Sequence, residues 1–340
     1  MIANVRQHYI DVAKGVGILL VLLGHIKQGG AAPSIIYAFH MPFFFLISGL
    51  LFNPNKFGSY WNFIKSRATR LLIPYFVYSL ITWCFWVGYN CCTKRIISID
   101  FYPLIQTLLA QGSSGFLKHN APLWFITCLF TLEVIYYPLY KKRWSLFCCS
   151  MISIISMISI KSHSVCWLEL LPWNLEIALA CLLYYALGYS IRNKFSISSI
   201  GNMPNRILVG MILACLPILV IISHFNGCPD IGADYFGQSP YLFVFGAICG
   251  SVFLISSSIY VSRVINTSVL QWFGRNSLDI MCLHVPIKGV VIGIMQRVLK
   301  LEWGGYITEW PYALIAVLLT ILILYPTIVC INRIKILYNK

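Results

Sequence analysis

Residues 11–25 read DVAKGVGILLVLLGH, an apolar run that carries three ionisable side chains, Asp11, Lys14 and His25. The spacing predicts an α-helix in which the eleven residues from Lys14 to His25 make about three full turns and rise about 16.5 Å. Both side chains then project from one face of the helix, and we expect Asp11 to be the partner of Lys14. Ionisable groups inside a membrane span are costly to bury, which makes these residues candidates for function.

The composition predicts an integral membrane protein. Of the 340 residues, 59% are hydrophobic and only 10% are charged, and the mean hydropathy is +0.78. The apolar blocks are about 17 to 22 residues long, the length of membrane-spanning helices, and they lack the alternation of a transmembrane barrel. We expect an all-α polytopic helical bundle of about ten transmembrane helices that forms a single domain over residues 1–340. The predicted spans are 10–26, 35–52, 71–89, 121–140, 145–160, 172–191, 207–223, 241–260, 277–297 and 311–331.

The distribution of positive charge predicts the orientation. A formal net charge of +15 would favour nucleic-acid binding in a soluble protein. Here sixteen of the 25 Lys and Arg residues fall in one set of alternate loops and seven in the other. By the positive-inside rule both termini are cytoplasmic. We expect a retained first helix rather than a cleaved signal peptide, and no nucleic-acid partner.

The thirteen cysteines lie mainly inside apolar blocks and show no repeated metal-type spacing. We interpret them as small membrane residues, so the sequence predicts neither a metal site nor a disulfide framework.

A second histidine lies at a similar depth on the next span. His40 precedes Pro42 in the outer part of the second block, so it could converge with His25 on one cavity. Pro42 also frees a backbone carbonyl, and the alternative is that His40 caps a broken helix.

Two arginines precede the third span. Arg67 and Arg70 are three residues apart and share a helix face, where their guanidinium groups suit phosphate. The alternative is an ordinary cytoplasmic anchor. Glu133 and Glu176 lie in mid-span, where each either pairs with a buried cation or stays neutral.

The ninth block also carries a polar stripe. Ser277, His284 and Lys288 fall within about 60° of one helix face, which predicts that this face points into the bundle. Trp124, at the outer start of the fourth span, stands where tryptophan is commonly an interface anchor.

Five motifs occur in order between residues 10 and 284. They are Ile10-Asp11-Val-Ala-Lys14 with ten residues before His25, Phe39-His40-Met41-Pro42-Phe43-Phe44-Phe45-Leu46-Ile47-Ser48-Gly49, Arg67-x-x-Arg70-Leu71-Leu72-Ile73-Pro74-Tyr75, Pro122-Leu123-Trp124-Phe125, and Asn276-Ser277-Leu278 followed by His284. As a set they resemble the membrane acyltransferase 3 family, which includes bacterial polysaccharide and O-antigen O-acetyltransferases. Much of the family has arginine where this chain has Lys14, which keeps the charge but loses the bidentate fork.

The resemblance implies an O-acyltransferase of the bacterial inner membrane. It would move an acetyl group from cytoplasmic acetyl-CoA to a hydroxyl of an envelope glycan or its lipid-linked precursor. His25 would be the general base or a transient acyl carrier, and the sequence does not separate these roles. The catalytic candidates are His25, Lys14, Asp11 and His40. The CoA phosphates would be bound by Arg67, Arg70 and Lys14. The channel or acceptor site would be lined by His40, Trp124, Ser48, Asn276, Ser277 and His284.

Two alternatives remain open at this point. One is a proton-coupled transporter or flippase of a small acid or lipid-linked sugar, with the histidines as a proton relay. The other is an acyltransferase that uses succinyl-CoA. No hydrolase-like extension follows the last span, so we expect any second acetyl-transfer step on the outer side to need another protein.

Overall fold

The computed structural model describes residues 7–94, 99–110, 117–162, 172–301 and 306–338. Within them the regular structure is helical, and β-pairing is limited to two isolated bridges. The helices are α1 His8–Ile26, α2 Ala31–Tyr37, α3 His40–Leu51, α4 Tyr60–Lys94, α5 Tyr102–Leu109, α6 Trp124–Tyr136, α7 Ser145–Lys161, α8 Leu175–Lys194, α9 Ile197–Gly201, α10 Asn205–Asn226, α11 Pro240–Val264, α12 Ser268–Arg275, α13 Ser277–Leu299 and α14 Trp310–Tyr338.

The all-α polytopic bundle predicted from the sequence is confirmed. Each of the ten predicted blocks contains helix. In the described part of the chain, eight helical segments are long and apolar enough to cross a membrane when α2 and α3 count as one. The segments Ala121–Tyr136 and Ser145–Lys161 are apolar but shorter. The count of ten spans and the orientation of the termini stay predictions.

The outer helices present apolar side chains away from the bundle. Leu213 on α10 is 69% exposed, and Leu318 and Leu322 on α14 are 66% and 70% exposed. A continuous face of this kind would be unfavourable in water but is the ordinary surface of a helix that faces lipid. The protein is therefore an integral membrane protein.

The second predicted span is broken rather than continuous. α2 ends at Tyr37 and α3 begins at His40, with Pro42 in the first turn of α3, where a missing N–H leaves no helical bond unmade. The His40 Nδ1–H donates to the Ile36 carbonyl at 2.8 Å and so caps the end of α2. The break turns His40 and Tyr37 towards α1.

α1 occupies the centre of the bundle. It packs against α2, α3 and α11–α14, and most of its residues are buried. Two glycines bring α1 and α12 into backbone contact, because Gly15 lies against the Leu270 carbonyl and Gly274 against the Asp11 carbonyl. α3 and α8 cross in the same way, with Gly49 against the Tyr185 carbonyl and Gly188 against the Leu46 carbonyl.

We expect Gly188→Ala to destabilise the protein because the new methyl group would collide with the Leu46 carbonyl. Overpacking of this kind costs about 1–3 kcal/mol, although alanine is otherwise the better helix former. Gly210→Ala is the matched control, since Gly210 is also helical but has open space around it. Thermal unfolding in detergent should give a lower midpoint for Gly188→Ala only. Equal midpoints for the two variants would contradict the close helix crossing.

Candidate active site

A basic cavity opens between α1, α3, α4, α6 and α13. Its volume is about 260 Å³, and four cationic side chains and one carboxylate are among its lining residues. The charged lining residues are Lys14, Lys56, Arg67, Arg70 and Glu133. The excess of positive charge suits an anionic ligand.

A smaller histidine cavity of about 30 Å³ lies further along α1. Its polar walls come from α1, α2, α3, the start of α6 and the segment that joins α10 to α11. The polar lining residues are His25, Tyr37, His40, Trp124 and Asp230.

The two cavities are stacked along α1. Met281 of α13 lines both of them. Ile18 faces the basic cavity and Val21 the histidine cavity, so the two linings are about 4.5 Å apart along the helix axis. Lys14 and His25 therefore reach the two different cavities.

Arg67 is held by Glu133 inside the basic cavity. Its Nε and Nη2 atoms donate to the two carboxylate oxygens of Glu133 in a bidentate ion pair, and the Tyr185 hydroxyl donates to Oε1 at 3.3 Å. The sequence left two possibilities for Glu133, pairing with a buried cation or staying neutral. The structure shows the pairing. Arg70, one helical turn further on, is exposed and lines the same cavity.

Two serines lie with the cations rather than with the histidines. Ser48 of α3 and Ser277 of α13 both line the basic cavity. The sequence assigned them to a channel or acceptor site together with His40 and Trp124. The structure separates the two pairs because the break between α2 and α3 and the start of α6 belong to the other end of the bundle.

Three histidines and Tyr37 cluster at the histidine cavity. The ring centroids of His25 and His284 are 5.0 Å apart, those of Tyr37 and His40 are 4.9 Å apart, and those of His25 and Tyr37 are 6.5 Å apart. The expected convergence of His25 and His40 on one cavity is therefore observed. The capping interpretation of His40 also holds, since its Nδ1–H is bonded to Ile36.

The hydrogen bonds of His284 leave one ring nitrogen available. Its Nδ1 atom lies 2.8 Å from the Met281 carbonyl, which can only accept, so Nδ1 carries the proton. In the neutral ring Nε2 is then an acceptor, and within the described residues this buried atom has no hydrogen-bond partner. An acceptor nitrogen therefore stands beside the His25 ring.

Lys288 anchors the end of α1 that carries His25. Its Nζ atom donates to the His25 carbonyl at 2.6 Å and lies 4.6 Å from the centre of the Tyr306 ring. The last carbonyls of a helix have no partner within the helix, so this bond satisfies one of them. The polar stripe predicted for α13 does face the bundle interior, through Ser277, His284 and Lys288.

Asp11 and Asn276 lie away from the described linings of both cavities. Asp11 is buried and its carboxylate is 3.4 Å from the Arg275 Nε atom, a partner that the sequence did not suggest. The Asn276 amide donates to the Trp272 carbonyl and accepts from Asn332, both at 2.8 Å. These contacts join α1, α12, α13 and α14.

A buried serine–histidine pair lies outside both cavities. The Ser79 Oγ atom is 2.9 Å from His119 Nε2 and 2.7 Å from Thr107 Oγ1, and all three side chains are at most 3% exposed. Burial lowers the pKa of His119 to about 4, so the ring is neutral near pH 7. With no access from either cavity, the cluster ties α4 and α5 to the segment that precedes α6.

Sequence reasoning missed Tyr37, Lys56 and Asp230 as lining residues. Lys56 and Asp230 lie in short connections where charge is unremarkable, and Tyr37 belongs to a helix that ends earlier than predicted. The tertiary packing of these segments brings the three side chains to the cavities.

The fold and the two cavities define a polytopic membrane protein with a basic cavity and a histidine cavity stacked on one central helix. A family model described as an acyltransferase domain matches residues 7–329. The chain therefore belongs to the membrane acyltransferase 3 family and is a membrane acyltransferase.

The chain is also similar to nodulation protein NolL of Sinorhizobium fredii (strain NBRC 101917 / NGR234). The two are 36% identical over 94 residues, a match that covers 24% of this chain and 24% of that protein. No solved structure matches the chain.

We expect Glu133→Gln to destabilise the protein by about 3–5 kcal/mol, because it leaves the Arg67 guanidinium without its carboxylate in a buried site. Adding Arg67→Met to Glu133→Gln should recover part of this loss, since the unpaired charge is then gone. A double-mutant cycle of unfolding free energies in detergent measures the coupling. Additive effects of the two substitutions would contradict a close ion pair.

Proposed function

We propose that the protein transfers an acetyl group from cytoplasmic acetyl-CoA to a hydroxyl of an envelope glycan or its lipid-linked precursor. The observation that carries the proposal is the stacking of a basic cavity and a histidine cavity on α1. It provides one site for an anionic donor and, less than one helical turn away, a site for proton transfer. The protein would act in the bacterial inner membrane.

The basic cavity is the donor site in this proposal. The phosphate groups of CoA would contact Arg70, Lys14 and Lys56, with Arg67 fixed beside them by Glu133. Lys14 offers a single charged contact rather than a fork. At about 260 Å³ the cavity is slightly smaller than a typical small-molecule site, so part of the nucleotide would stay at the mouth. The loops at this end are the positively charged set, which supports a cytoplasmic opening.

The pantetheine arm would lead the thioester past Met281 towards His25. There the acceptor hydroxyl attacks the thioester carbonyl, the new C–O bond forms as the C–S bond breaks, and His25 takes the hydroxyl proton. That proton then passes to the departing CoA sulfur. A neutral imidazole offers a ring nitrogen that can accept this proton.

The remaining residues position His25. The His284 ring packs beside the His25 ring, and Lys288 holds the backbone at the same point. His40 forms the opposite wall through Tyr37. Transfer through an acetyl-His25 intermediate uses the same geometry. Intact-mass spectrometry after mixing with acetyl-CoA alone separates the two routes.

We expect His25→Ala to reduce acetyl transfer at least about 100-fold, because a general base or acyl carrier is removed. The assay is transfer from radiolabelled acetyl-CoA to alkali-deacetylated envelope glycan by purified protein in proteoliposomes. His224→Ala is the matched control, since His224 is exposed on α10 and lines neither cavity. Transfer at the wild-type rate by His25→Ala would overturn the mechanism.

We expect Arg70→Ala to raise the half-saturating concentration of acetyl-CoA about three- to tenfold, the loss of a charged contact that is partly screened by solvent. Lys142→Ala removes an exposed cation that does not line the cavity and should leave this concentration unchanged. Release of CoA with an acceptor present also distinguishes an acyltransferase from a transporter. Unchanged donor affinity in Arg70→Ala would return the arginine to a membrane-anchor role.

A further inference from the structure

Residues 227–239 join α10 to α11 and cover the end of the histidine cavity. We call this segment the cap. Asp230 and Tyr235 exchange backbone hydrogen bonds of 2.8 and 3.0 Å. The buried Asn226 amide donates to the Phe236 carbonyl at 3.0 Å and accepts from the Ser239 N–H at 2.7 Å. These bonds fix the path of the cap from both ends.

The cap rests directly on Trp124. Gly232 packs so closely on the indole ring that a Cβ atom there would collide with it. Ile231 is buried beneath the cap and lines the histidine cavity beside Asp230. Asp230 and Trp124 are therefore held as two parts of one rigid wall.

Asp230 is solvent-exposed and also lines the histidine cavity, together with His25 and His40. Its Oδ1 atom accepts a 3.1 Å hydrogen bond from the Gly232 N–H, which orients the carboxylate. A carboxylate has about four acceptor positions, so it can accept further hydrogen bonds from hydroxyl groups.

The size of the histidine cavity limits what can enter it. A volume of about 30 Å³ holds roughly two water-sized groups, so a hydroxyl can reach His25 but a whole sugar ring cannot. The ring of a saccharide acceptor would have to stay at the mouth. There the Trp124 indole offers an apolar face and the Asp230 carboxylate offers hydrogen-bond acceptors, a combination that matches the mixed apolar and hydroxyl surface of a sugar.

The charges of the two cavities are opposite in sign. Four of the five charged residues that line the basic cavity are cationic, whereas Asp230 is the carboxylate among the residues that line the histidine cavity. The basic cavity attracts an anionic ligand such as CoA, whereas the Asp230 carboxylate disfavours an anionic group at the mouth of the histidine cavity. The histidine cavity thus favours an uncharged, hydroxyl-bearing ligand.

We propose that Asp230, together with Trp124, binds the sugar ring of the acceptor at the mouth of the histidine cavity and directs one hydroxyl towards His25. This inference rests on the proposed acetyl transfer and adds the acceptor site to it. Asp230 is then a specificity-determining residue of the reaction.

The test is Asp230→Asn in proteoliposomes, with radiolabelled acetyl-CoA and alkali-deacetylated envelope glycan from cells that lack this protein. Asparagine keeps an oxygen for the Gly232 N–H but removes the negative charge. We expect the half-saturating glycan concentration to rise at least about tenfold, the loss of a charge-assisted hydrogen bond. The half-saturating acetyl-CoA concentration should change less than twofold.

Asp234→Asn is the matched control, four residues further along the same cap. Asp234 has a left-handed backbone conformation that asparagine tolerates, and it is outside the described lining of the cavity, so both concentrations should match the wild type. If Asp230→Asn leaves the half-saturating glycan concentration unchanged, or raises the half-saturating concentrations of donor and glycan equally, the acceptor role of Asp230 is overturned. The proposed acetyl transfer is not affected by that result. A wild-type protein that transfers no acetyl group to the glycan overturns the proposed function itself.

Discussion

The position of α1 is the constraint on which the rest of the molecule depends. Gly15 and Gly274 let α1 and α12 meet backbone to backbone, and a side chain at either position would push the helices apart. At the other end, Lys288 donates to the His25 carbonyl and so ties α1 to α13. With both ends held, the fixed rise of the helix sets the separation between Lys14 and His25, and hence between the two cavities.

Several polar groups in the described bundle are held by specific partners, because lipid supplies neither water nor counter-charge. Glu133 is buried with Arg67, so the basic cavity keeps one guanidinium at a fixed place while Arg70 stays exposed. His40 and His284 each use Nδ1 on a backbone carbonyl. The same requirement that stabilises these side chains also fixes which ring nitrogen is available for chemistry.

The sequence was most informative where function requires an unusual residue in an apolar run. His25, His40, His284 and Lys288 stood out because burial of such groups is costly, and all four gather around one end of α1. It was less informative about partners: the Arg275 guanidinium beside the Asp11 carboxylate was not expected from the sequence. Ser48 and Ser277 were grouped with the histidines but line the basic cavity, because spacing along one helix does not reveal which neighbour it faces.

By itself, then, the sequence determined the all-α membrane bundle and the shared face of Lys14 and His25, because hydropathy and helical periodicity are local properties of the chain. Only the tertiary structure decided that Glu133 pairs with Arg67, that α2 and α3 are separate helices, and that Asp230 lines the histidine cavity. These features depend on contacts between residues far apart in the chain. The physical reason is that a cavity is shaped by several helices at once, and no single stretch of sequence contains it.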